Sequence, residues 1–161
     1  MWKNEKIHKL DNIVNIRSEM KKRKKKVVFT NGCFDILHSG HVYLFREAKK
    51  LGDVLIVAVN DDISIENIKG PSRPIFPLRE RLEVLEAIKF IDFLISFSEK
   101  TPQKVIASIL PDILVKGGDW KLDEIVGRRE VEEMGGRVVI IPYQEGSSGT
   151  GVIEKIVKSE K

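Results

Sequence analysis

Val27-Val28-Phe29-Thr30-Asn31-Gly32-Cys33-Phe34-Asp35-Ile36-Leu37-His38-Ser39-Gly40-His41 is the stretch that decides how this chain folds. Its apolar start predicts a strand, the two histidines around Gly40 a tight turn, and the segment from Val42 to Leu51 a helix. A strand that turns and reopens as a helix offers free backbone N–H groups and the positive end of a helix dipole to an anion. Gly40 lets the backbone come close to a ligand. His38 and His41 stand three apart and share one side of the helix entrance. The stretch reads as a phosphate site, and it holds two of the three histidines.

Outward from it, short β-branched runs predict strands at Val27–Thr30, Val54–Asn60, Phe93–Ser96, Ile113–Lys116 and Arg137–Ile141. Helical spacing falls between them, at Val42–Leu51, Leu78–Ile88, Pro102–Leu110 and Glu130–Met134. A further helix, Leu10 to Met20, precedes the first strand, and one from about Gly151 to Val157 follows the last. Several strands are almost wholly apolar, as in a sheet covered on both faces. The expectation is an α/β, Rossmann-like doubly wound sheet of about five parallel strands with helices on both faces. Ligands bind such a sheet beyond the carboxyl ends of its strands, near the switch in strand order. The 161 residues fit a single domain, 1–161, with a helical extension at 1–25 ahead of a core at 26–161.

Charged residues at 32% and hydrophobic ones at 42% match a globular protein rather than a disordered chain. No apolar run approaches the roughly 18 residues of a membrane helix, and Met1-Trp2-Lys3-Asn4-Glu5-Lys6 lacks a signal-peptide core. No membrane partner is expected. A lone cysteine, Cys33, forbids an internal disulfide and points to a reducing cytoplasm. Much of the +4 net charge sits in Lys21-Lys22-Arg23-Lys24-Lys25-Lys26. Without interleaved aromatics or a groove-reading motif, this block reads as a solvated helix end and not as a nucleic-acid surface.

Two common nucleotide signatures, G-x-x-x-x-G-K-[ST] and G-x-G-x-x-G, are missing. A nucleotide must be held another way, and His38-Ser39-Gly40-His41 is the best candidate. A zinc site from Cys33, His38 and His41 lacks a fourth ligand, so no protein metal site is expected. Lys69 and Arg73 fall in a Gly/Pro-rich loop, Lys69-Gly70-Pro71-Ser72-Arg73-Pro74, whose rigid frame suits a phosphate clamp. Gly117 and Gly118, after the fourth strand, leave room for a base, with Trp120 as a packing lid. Gly146-Ser147-Ser148-Gly149-Thr150-Gly151 precedes the last helix, where Ser148 and Thr150 can cap it or hold phosphate. Asp35 either orients the histidine turn or sits near a metal. Cys33 reads as a small buried residue, since no activating partner is evident.

Thr30 to Leu51, with its N-G-C-F-D-x-L-H-x-G-H pattern, resembles the H-x-G-H nucleotidyltransferases. More narrowly the chain resembles the heptose 1-phosphate adenylyltransferases that make ADP-heptose. The likeness extends through Lys69–Pro74, Pro77–Arg81, Thr101–Gln103, Leu110–Trp120 and Val152–Ile156. It implies transfer of an adenylyl group from ATP, with Mg²⁺ on the phosphates, to a sugar 1-phosphate. The expected acceptor is D-glycero-β-D-manno-heptose 1-phosphate. It further implies a homodimer and a separate sugar kinase upstream.

The resemblance implies that His38, His41, Lys69 and Arg81 are catalytic, with Arg81 contacting phosphate. It implies that Cys33, Phe34, Asp35, Gly40, His41, Arg73, Gly117, Asp119, Ser148 and Thr150 contact the nucleotide, Asp119 near the ribose. The family usually reads Ser-Thr-Thr before the last helix, and here Gly149 removes one hydroxyl. A glycerol 3-phosphate cytidylyltransferase is the nearest rival. Such relatives carry Arg-Thr-Glu-Gly where this chain has Tyr143-Gln144-Glu145-Gly146. A non-catalytic nucleotide sensor is a second rival, against which both histidines are intact.

Overall fold

The computed structural model describes residues 5–146 and 148–160, so Ser147 and both chain ends lie outside the described residues. The elements are α1 (Leu10–Lys22), β1 (Val27–Gly32), α2 (Ser39–Lys49), β2 (Val54–Asn60), α3 (Asp62–Lys69) and α4 (Leu78–Glu86). There follow β3 (Phe93–Phe97), α5 (Gln103–Ile109), β4 (Ile113–Gly117), α6 (Arg128–Glu133), β5 (Arg137–Ile141) and α7 (Gly149–Ser159). The strands form one five-stranded sheet in the order β3-β2-β1-β4-β5, and every pairing is parallel. The strand order therefore reverses between β1 and β4, which places the expected ligand crevice at their carboxyl ends.

The apolar strands are apolar because they serve two cores. Along β2, Leu55, Val57 and Val59 pack on one side with Phe45 and Ala48 of α2 and Leu85 of α4. Ile56 and Ala58 pack on the other with Ile13 of α1, Ile106 of α5 and Val131 of α6. Period-two alternation thus divides one continuous apolar run between opposite faces. α1 is part of this second layer. Ile13 is fully buried, and Arg17 donates to the Leu110 carbonyl and pairs with Asp112 at 2.9 Å.

The expected strands are present, with β2 and β5 at the expected limits. α3 is not among the helices expected from the spacing. Asp61 caps it by accepting from the Ser64 N–H at 2.8 Å, and Lys69 is its last residue rather than part of the loop. The lysine-rich block lies around the end of α1 and the start of β1, at the opposite end of the sheet from the crevice. Among the described residues no helix is long and apolar enough to cross a membrane.

Candidate functional site

A cleft of about 970 Å³ opens at the carboxyl ends of β1 and β4 and is lined by the β1–α2 turn, the end of α3, the β4 exit and the start of α7. The turn entering α2 is unusual in its capping. Ser, Thr, Asp and Asn are the ordinary residues at a helix N-cap, but here it is His38. The Nδ1 of His38 accepts from the Gly40 N–H at 3.1 Å, and the Nδ1 of His41 accepts from the His38 N–H at 3.3 Å. The rings stack with centroids 3.9 Å apart. Each neutral ring with an accepting Nδ1 carries its proton on Nε2, as assigned from these hydrogen bonds. The pair thus supplies two fixed Nε2–H donors at the mouth of a helix.

Both rings are held neutral at pH 7. Burial lowers His38, and burial, then the neighbouring His38 and Lys69, lowers His41 to about 4. Beneath them Phe34 adopts a left-handed φ of 47°, a conformation that costs a residue this large about 1–3 kcal/mol. Its ring is fixed edge-on against His41 at 5.4 Å and tilted against Phe45 at 5.1 Å. Phe34 positions the histidine from the core side.

Asp35 is buried and wholly engaged. It accepts from Arg73 Nε at 2.7 Å and from the Ile75 and Phe76 N–H groups at 2.9 Å. Burial alone raises its pKa. The N–H groups of Phe76 and Ile75 and the Arg73 guanidinium outweigh that and hold the carboxyl below its ordinary value. Through these bonds Asp35 staples the α3–α4 loop to the histidine turn, the geometry of its orienting role. Arg73 lines the cleft while making this pair.

Arg81, expected to contact phosphate, is engaged by the protein itself. It is 2% exposed, and its N–H groups donate to the carbonyls of Phe76, Cys33 and Asn60 and to the Asp62 carboxylate, at 2.6–3.0 Å. It ties the ends of β1 and β2 to α4 and borders a hollow that shares Phe34, Asp35 and Ile36 with the histidine cleft, without lining that cleft itself. Asp119 is exposed and is not brought to the cleft wall, whereas Gly117 and Trp120 are. The Gly40 N–H is occupied by His38 and so is not free for phosphate. Lys69 is exposed and lines the cleft, as does Cys33, whose thiol is pushed up by burial and stays protonated.

At the β4 exit, Gly118 has a φ of +112°, and a Cβ there would lie 2.4 Å from the Tyr143 ring, so only glycine fits. Tyr143 packs directly on the loop expected to face a base. Lys116 also lines the cleft and was assigned no role from sequence. Its signal was a lysine continuing the apolar run Ile113-Leu114-Val115.

Ser148 caps α7, accepting from the Gly151 N–H at 2.9 Å, and both Ser148 and Thr150 line the cleft. Thr150 therefore has no capping role. Ser148→Ala is expected to cost α7 about 1 kcal/mol, read as faster amide exchange along that helix. Thr150→Ala should leave exchange unchanged and weaken ATP binding. Unchanged ATP affinity in that variant removes Thr150 from the site.

Residues 29–155 match the cytidylyltransferase-like family. The chain is 53% identical over 141 residues to the bifunctional protein HldE of Shigella flexneri and, equally, of Escherichia coli K12, covering 88% of this chain. It spans only 30% of the length of those curated relatives. The lipopolysaccharide core biosynthesis protein of Thermoplasma volcanium superposes with a TM-score of 0.61 at 34% identity, over 76% of this chain and 99% of that one. The pantoate-beta-alanine ligase of Francisella tularensis superposes at 0.63 with 19% identity, over 89% of this chain and 69% of that one, a likeness of fold.

Proposed function

This chain belongs to the cytidylyltransferase-like family, and from that premise we propose that it is a nucleotidyltransferase moving an adenylyl group from ATP to a sugar 1-phosphate. The acceptor favoured by the resemblance is D-glycero-β-D-manno-heptose 1-phosphate, giving ADP-heptose and pyrophosphate. The names of its relatives, the bifunctional protein HldE and a lipopolysaccharide core biosynthesis protein, support that substrate class.

The observation that carries the reading is the stacked, neutral His38–His41 pair at the N-terminus of α2, in the cleft where the strand order reverses. In the reaction, an oxygen of the acceptor phosphate attacks the α-phosphorus of ATP. The bond to the β-phosphate bridging oxygen breaks, and that oxygen leaves with the electron pair on pyrophosphate. The acceptor phosphate is ionised near neutral pH, so the reaction needs positioning and charge stabilisation more than a base. His38 and His41 donate from Nε2–H to phosphate oxygens, and Lys69 and Arg73 add positive charge at the rim. Arg81 acts as a positioning residue, holding the turn and the α3–α4 loop in register.

Among the described residues no three His, Cys, Asp or Glu side chains gather as a metal site requires. Mg²⁺, where the nucleotide brings it, would supply charge neutralisation to the phosphates. A pyrophosphate-release screen of nucleoside triphosphates against sugar and polyol phosphates tests the assignment, and release only with glycerol 3-phosphate overturns it. With one sugar phosphate, kcat/KM for ATP is expected to exceed that for CTP, since Tyr143 stands where cytidylyltransferases carry arginine. Equal or higher efficiency with CTP removes the adenylyl reading.

A further inference from the structure

Lys116 is the next-to-last residue of β4, beside β1 at the point where strand order reverses, and it is 9% exposed. Its Nζ donates to Asn31 Oδ1, a neutral partner, and among the described residues no carboxylate pairs with it. Burial is the sole cause pulling its ammonium down to about 8. Buried ammonium groups in folded proteins are normally paired, because desolvation of a lone charge is costly. Arg17, Lys49, Arg73 and Arg81 all follow that rule in this chain, each with an aspartate within 2.9 Å. Lys116 alone among these inward-facing cations is matched only by an amide, and it lines the cleft.

We propose that Lys116 is a substrate-binding residue whose missing counter-ion is a phosphoryl oxygen of the ligand, so that its buried charge is paired only in the complex. This rests on the reading of the cleft as a phosphate site. The phosphoryl oxygen comes either from the nucleotide or from the phosphate monoester of the acceptor. A cation held in a dry, preorganised place gives a stronger contact than a solvated rim lysine, because little reorganisation is left when the anion arrives. The same desolvation strains the free protein, as expected of a group retained for binding rather than stability.

Two readouts separate this from a structural lysine. Wild-type protein and Lys116→Met, which keeps the aliphatic stem, are titrated with pyrophosphate and with mannose 1-phosphate by calorimetry, and both are melted without ligand. The expected result is a loss of about 10- to 100-fold in affinity for one of the two probes, with a Tm equal to or above wild type. Loss for pyrophosphate places the contact on the nucleotide, and loss for mannose 1-phosphate places it on the acceptor.

Unchanged affinity for both probes overturns the role of Lys116 while leaving the phosphate cleft intact. A wild-type protein that binds neither probe overturns the cleft reading, and this proposal with it. If the Met variant melts lower, Lys116→Gln decides, since it retains a donor for Asn31 without the charge. The same affinity loss in the Gln variant supports the proposal, and wild-type affinity overturns it.

Discussion

His41→Ala is expected to slow adenylyl transfer by about 10²–10³-fold, the usual loss when one preorganised donor to a developing charge is removed. ATP affinity should change far less, because the contact strengthens as charge moves onto the pyrophosphate oxygens. His38→Ala should show a comparable loss in turnover and should also loosen the start of α2, where His38 is the cap. Single-turnover rates and equilibrium ATP titrations on each variant check both statements. Near-normal turnover in either variant removes that histidine from the chemistry.

The same rings set an acid limit. Their folded pKa values lie below the ordinary 6.5, with His41 at about 4, so the unfolded chain takes up protons first as pH falls. The stability tied to the neutral pair is present above about 6.5 and is lost as pH falls from there toward about 4. Protonation also removes the two Nδ1 acceptors and with them the reciprocal cap of α2.

Arg81→Met is expected to lower stability by about 3 kcal/mol, because it takes the charged donor from the Cys33 and Asn60 carbonyls at once, while Asp62, half exposed, is left to solvent. For a chain of this size that corresponds to a Tm lower by about 6–12 °C. Turnover should fall along with it, because the Cys33 and Asn60 carbonyls that Arg81 holds end the two strands beside the cleft. A thermal melt and a KM-against-kcat comparison distinguish this role from a phosphate ligand. An unchanged Tm with a large rise in the KM for ATP would return Arg81 to the list of direct contacts.

Much of the sheet was legible because its information is local. The β2 and β5 segments are short, β-branched and bounded by polar turns, and period and composition suffice to place them. His38 and His41 were legible because a strand, a turn and a helix follow one another within 25 residues. The burial of Arg81 was not legible because its partners are not local: the Asn60 and Cys33 carbonyls stand 21 and 48 positions away in sequence. Nothing in Leu78-Arg79-Glu80-Arg81 distinguishes an arginine turned inward from its exposed neighbour Arg79.

α3 is only eight residues long, too short for helical spacing to mark it off from the loop that follows. Only the bond from the Ser64 N–H shows Asp61 to be a helix cap. Lys116 was passed over since a charge near a strand end is ordinarily solvated, and its non-local partner, Asn31, is brought in by β1. Asp119 follows Gly118, whose positive φ turns the chain, and the aspartate that comes after it is exposed.

Alternate residues of β2 supply opposite cores, so the strand is read in steps of two. Loss of one codon inside it would exchange the partners of every residue beyond the break, sending Val57 and Val59 toward α5 and Ala58 toward α2. Loss of two codons would restore the faces while drawing the Asn60 carbonyl back from Arg81. A change of length is far cheaper in an exposed connection that feeds neither core, such as the link from Arg23 to Lys26 at the end of the sheet away from the cleft.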